Sequence, residues 1–242
     1  MSYLVDDYHG ESAAAAPVNE RVAFIRRTYA HLAGAVLAFI GLSAALIGTG
    51  LAEQIIRDVF LGQRVAWPAL MITFMVGTVA AQYMARSRSS IGLQYAGLAL
   101  YVLLYTLLFM PILTIASDPK YGVGNPQLPL QAGIVTLAVF GGLTIAVFAS
   151  GKDFSFMGPV LWVGSLLALG VIIAAMFGAL TLGFGFICVM VALFAGWVIY
   201  DTSNVIHHYG TNEHVAASMA LFGSFAGLFY YILLLFMNNR DD

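Results

Sequence analysis

The chain is 242 residues long, 61% hydrophobic and 9% charged, with a net charge of −2 at pH 7. That balance excludes an ordinary soluble domain, and the absence of a long basic or acidic block excludes nucleic acid as a partner, which leaves the lipid bilayer as the first one. The single cysteine, Cys188, stands in an apolar run without a disulfide partner and reads as packing.

Residues 1–27 read as a flexible N-terminal tail, acidic at Asp6, Asp7, Glu11 and Glu20 and basic only at Arg21, Arg26 and Arg27. A cleaved signal peptide starts basic and carries a shorter apolar core, so the tail is expected to stay attached to a membrane domain over 28–242. Seven stretches follow, at 28–50, 66–85, 91–117, 131–150, 156–178, 182–206 and 215–237. Each has about the 20 apolar residues that a helix needs to cross roughly 30 Å of hydrocarbon. Their apolar character is continuous rather than alternating, which selects helices over barrel strands, because a helix satisfies its own backbone in lipid. The expected fold class is all-α, a polytopic seven-transmembrane-helix bundle. Its longest loops fall at 51–65 and at 118–130, and Pro111 is expected to kink the third span.

Lys and Arg near the span ends set the orientation. The tail (Arg21, Arg26, Arg27), the second loop (Arg86, Arg88) and the fourth (Lys152) together hold six. The opposite side holds four, at Arg57, Arg64, Lys120 and Arg240. The N-terminus is therefore expected in the cytoplasm and the C-terminus, after an odd number of spans, outside.

Asp201 is the one acid in the run 182–206. A carboxylate next to hydrocarbon must be solvated, paired or used. Helical spacing puts Trp197, Asn204 and His208 on its stripe, and His207 lies about 9 Å further along the axis, which places Asp201 near the cytoplasmic edge. Snorkelling to water is the alternative to a functional role. His207, His208 and His214 with Glu213 lack metal-ligand spacing and read as solvated loop histidines able to titrate near neutrality. Asp201 is at most a weak calcium candidate, since the ion takes six to eight oxygens and usually more than one carboxylate. Gly223 and Gly227 make a small-xxx-small face in the last span, for packing inside the bundle or, less favoured, for a homo-oligomer or partner contact. No zinc pair, nucleophile elbow or phosphate loop is present, so no enzyme, catalytic residue or cofactor is expected.

The segment VIYDTSNVIHHYGTNE at 198–213 resembles the Bax inhibitor-1 superfamily, most closely its bacterial YccA-like branch. RRTYAHLAG at 26–34, PILTIAS at 111–117 and GKDFSFMGP at 151–159 fit the same branch. The resemblance implies seven helices with one at the centre, in a bacterial inner membrane. It also implies binding and restraint of the membrane AAA protease FtsH or, as the alternative, a pH-sensitive calcium leak. In the leak, two aspartates on the last two helices share a proton or pair with an arginine ending the second. Carried onto this chain, the first acid is Asp201 and the arginine Arg86. The second acid falls on Ala226, and 215–237 contains none. The expected gating or proton-sensing residues are thus Asp201, Arg86, His208 and Asn204, with calcium as a transported ion.

Overall fold

The computed structural model describes residues 12–60, 66–87, 90–121, 124–176, 178 and 181–238. Eight α-helices follow one another: α1 Val18–Gly48, α2 Leu51–Ile55, α3 Ala66–Ala85, α4 Ile91–Ser117, α5 Leu128–Ser150, α6 Gly158–Met176, α7 Phe184–His207 and α8 His214–Asn238. Seven of them are long and apolar enough to cross a membrane, all but α2. No strand is present among the described residues. Chain ends and loops therefore alternate sides, and the start of α1, the α3–α4 turn, the α5–α6 loop and the α7–α8 loop share one side.

The expected spans differ from the helices mainly at the ends. α1 starts at Val18 instead of at residue 28, because Phe24 and Thr28 point into the bundle while Arg26 and Arg27 stay exposed. A helix that leaves the hydrocarbon can keep its charges in water, so charge did not end it. Pro17, extended at φ −51° and ψ 144°, starts it. The tail is also shorter than 1–27: the Ala13 N–H donates to the Tyr209 carbonyl at 2.8 Å, Ser12 bridges Gly210, and Ala13 is fully buried. Residues 1–11 lie outside the described residues. The expected loop at 51–65 begins with α2 and a π-helical turn, Ile56–Phe60; residues 61–65 lie outside the described residues. α4 runs through Pro111 without interruption.

α8 is the centre. It packs against α1, α3, α4, α5 and α7, and 67% of its apolar stretch is buried, against 50% for α4 and no more than 22% for any other span. In lipid, apolar surface gains little by leaving the hydrocarbon, so the bundle rests on close packing and inward hydrogen bonds. Hence Leu37, Val79, Ile145, Val160 and Leu166 stand exposed on the outside, while Phe39, Phe109, Phe222 and Phe229 lock α1, α4 and α8 together. Phe39 meets Phe109 edge-on at 5.3 Å, and Phe109 stacks on Phe229 at 5.9 Å.

Gly227 faces the Phe194 ring of α7 so closely that a Cβ there would overlap it, and Gly223 faces the Tyr101 hydroxyl of α4. Both glycines of the small-residue face are turned inward.

Candidate functional site

The loop 151–155 is tied to the end of α7. Ser203 Oγ accepts the Phe154 N–H at 2.7 Å and donates to Asp153 Oδ1 at 3.3 Å, and His208 Nε2 meets Asp153 Oδ2 at 3.1 Å. The Ser155 backbone N–H, with smaller help from the Ser155 and His208 side chains, holds Asp153 below its ordinary carboxylate value. A depressed value means that the latch contributes stability above pH 3.8, the group's ordinary value, and loses it as pH falls through the lower folded value. Asp153→Asn is therefore expected to speed amide exchange over 151–157 at neutral pH in detergent; unchanged exchange would show the latch to be idle.

His208 was expected on the Asp201 stripe, and it is not there. α7 ends at His207, and at φ −124° and ψ −21° His208 has left the helix, so helical spacing no longer applies to it. Nor do the other histidines gather. His207 Nδ1 donates to the Ser203 carbonyl at 3.0 Å. His214 is buried rather than solvated, its ring 5.0 Å from that of His31 on α1. Among the described residues no group of three His, Cys, Asp or Glu converges.

Asp201, Arg86 and Asn204 do come together. They line one cavity of about 560 Å³ bounded by α3, α4, α6, α7, α8 and Tyr209. The cavity exists because α6 leans on α7, where Gly158 admits Tyr200 and Gly196 admits Leu161. Trp162 and Ser165 of α6 thus form a wall across from Ala216, Ala220 and Gly223 of α8. Trp197 Nε1 donates to Ser165 Oγ at 3.1 Å, pinning that wall. Asp201 is the only carboxylate among the lining residues. Ser224 of α8 lines the cavity close to it; the Ser224 hydroxyl donates to the Leu221 carbonyl at 3.1 Å. Tyr101 and Tyr105, hydroxyls 3.3 Å apart, lie within electrostatic reach of Asp201.

No ion pair within 4.0 Å joins Arg86 to Asp201 among the described residues; the ion pairs found there are Lys120 with Glu53 and Asp118, and His208 with Asp153. Arg86 sits in the turn just past α3, exposed at the cavity rim, and its guanidinium lies close to Tyr209 instead. Burial, then the negative charge of Asp201, push the Tyr209 phenol up to about 12, while Arg86 pulls the other way. The tyrosine therefore stands as a neutral donor and acceptor between the two charges across the physiological range.

Ala226, the position expected to carry a second acid, is buried in the core and does not line the cavity; Ser224 is what α8 presents to Asp201. The sequence reading missed Tyr101, Tyr105, Ser224 and Tyr209. Tyr101 and Tyr105 carried a signal, two hydroxyls one turn apart in an otherwise apolar span.

Comparison with known proteins places this geometry in a family. The family described as "Inhibitor of apoptosis-promoting Bax1" matches residues 21–241. Mouse Protein lifeguard 4 is 29% identical over 242 residues, covering 96% of this chain and 92% of its own. The Golgi anti-apoptotic protein of vaccinia virus (strain Lister) is 29% identical over 257 residues, covering 99% and 96%. Bax inhibitor 1 of Schizosaccharomyces pombe is 28% identical over 146 residues, covering 59% and 54%. The chain belongs to the Bax inhibitor-1 family of multi-pass membrane proteins.

Proposed function

We propose that this Bax inhibitor-1 family member passes cations, calcium among them, through the cavity between α3, α4, α6, α7 and α8. The observation that carries the reading is Asp201, the one carboxylate among the lining residues of a cavity inside a membrane bundle, with Arg86 at its rim and in no ion pair among the described residues. Asp201 attracts the ion, and the tyrosine hydroxyls, Asn204 and Ser224 offer it neutral oxygens. One carboxylate holds calcium weakly, which suits passage better than storage. Arg86 opposes entry by charge. Protonating Asp201 removes the attraction, so flux falls as pH falls through the titration of that carboxyl.

Arg86→Ala is expected to raise calcium entry into liposomes several-fold over the parent, read with an enclosed calcium dye. At an effective dielectric constant of about 20, a unit charge 8 Å away opposes a monovalent ion by about 2 kcal/mol before solvent screening at this exposed rim reduces it. Flux equal to that of protein-free liposomes in parent and variant alike sinks the proposal.

A second reading is that the chain is a YccA-like protein of a bacterial inner membrane that binds and restrains FtsH. What supports it is that the chain is already tied to the bundle at Ser12 and Ala13, so a protease gripping the first residues from the cytoplasm would have to pull against the helices. Deleting residues 1–20 is then the most damaging truncation. The reading fails if the protein neither co-purifies with FtsH nor alters its proteolysis of membrane substrates.

A further inference from the structure

We propose that residues 12–16 are a strap that closes the Asp201 cavity by holding Tyr209 across its mouth. The mouth is where Arg86 is both exposed and part of the lining, and Tyr209 lines the same end close to Arg86. Tyr209 belongs to a six-residue connection between α7 and α8, 208–213, fastened on one side by its own N–H to the Asn204 carbonyl at 3.0 Å. On the other side the strap fastens it. The Ala13 N–H donates to the Tyr209 carbonyl at 2.8 Å, and Ser12 pairs antiparallel with Gly210.

The strap is a shaped element. The N–H groups of Ala15 and Ala16 both turn back to the Ser12 carbonyl, at 2.9 and 3.1 Å, and Pro17 then starts α1. Ala13 is fully buried and belongs to the main core. Of the alanine run 13–16, which neither the spans nor the cavity explains, Ala13 and Ala16 are buried and Ala14 and Ala15 face out, so a small side chain is needed where the strap meets the bundle. Because main-chain bonds fix Tyr209 from both sides, its ring is positioned by the first helix's leader together with the end of α7. Anything that lifts residues 12–16 loosens Tyr209 and uncovers Asp201 behind it. The proposal deepens the cation-passage reading, but its geometry stands without it.

The test is access to the cavity from water. In full-length protein carrying Cys188→Ser, Ala220→Cys places a thiol on the α8 wall, and its reaction with a charged methanethiosulfonate is timed in detergent. Ala13→Arg, whose side chain has no room in the buried docked position, and Tyr209→Ala are each expected to speed labelling about tenfold, a population shift of the closed mouth. Together they should do little more than Tyr209→Ala alone.

If Ala13→Arg fails to fold, Ser12→Cys with Gly210→Cys serves instead. Antiparallel partners lie about 4.5–5.5 Å apart at Cα, within disulfide range, and a Cβ at Gly210 meets nothing closer than 3.6 Å. With both sulfurs oxidised, labelling of position 220 should slow and become insensitive to temperature, and reduction should restore it. Labelling within about twofold of the parent in Tyr209→Ala, Ala13→Arg and the oxidised form overturns the strap. Faster labelling in variants that carry no calcium flux leaves the strap standing and removes the passage.

Discussion

Asp201→Asn is expected to lower cation flux about tenfold or more while leaving the fold intact. Asparagine keeps the shape but removes the one carboxylate among the lining residues. Two unit charges 4 Å apart attract by about 4 kcal/mol at an effective dielectric constant of 20. Asp201 is partly open to the cavity, so solvent and salt reduce this to about 1–2 kcal/mol, still a factor of about ten in ion occupancy. The check is calcium uptake by proteoliposomes at matched protein density. Uptake in Asp201→Asn equal to the parent's would make the carboxylate a snorkelling residue without a task.

Gly227→Ala is the substitution with the largest expected effect on stability. In a helix interior alanine gains about 1 kcal/mol over glycine. Here its Cβ lands on the Phe194 ring, which stacks on Tyr231 at 5.5 Å, so the ring is not free to swing aside. Overpacking a close-packed interior costs about 1–3 kcal/mol, and with overlap against three ring atoms the upper part of that range applies, so the clash wins. The expected result is a thermal midpoint in detergent several degrees below the parent. Gly34→Ala, where a Cβ meets nothing within 4 Å, is the control and should match or exceed the parent. Equal midpoints for both would mean that α7 and α8 do not pack through Gly227.

The spans were legible in the sequence because composition alone marks hydrocarbon. The ends of α1 and α5 were not: charge and proline were read as boundaries, whereas Arg26 and Arg27 ride on an exposed face and Leu128 and Pro129 begin a helix. Residues 51–60 read as a loop because a short interfacial helix needs no apolar stretch. Asp201 stood out by its cost in lipid, and Asn204 followed from helical spacing. The same spacing failed one residue beyond the helix, at His208. Arg86 came from family resemblance, and with it the expectation of an ion pair to Asp201; in the structure Tyr209 occupies that place. Tyr209 and Ser224 could not be read, since each matters only through a neighbour on another element, the strap for one and α7 for the other.

The cation-passage account and a latch between Arg86 and Asp201 separate on a sign. Two charges that do not touch act on a passing cation independently, one repelling and one attracting, whereas two charges locked as a gate release it when either is removed. The decisive measurement is calcium uptake by liposomes carrying the parent, Arg86→Ala or Asp201→Asn in one series. The account requires uptake to rise in the first variant and fall in the second. Uptake that rises in both would establish a latch, and uptake indistinguishable from empty liposomes in all three would contradict passage through this cavity.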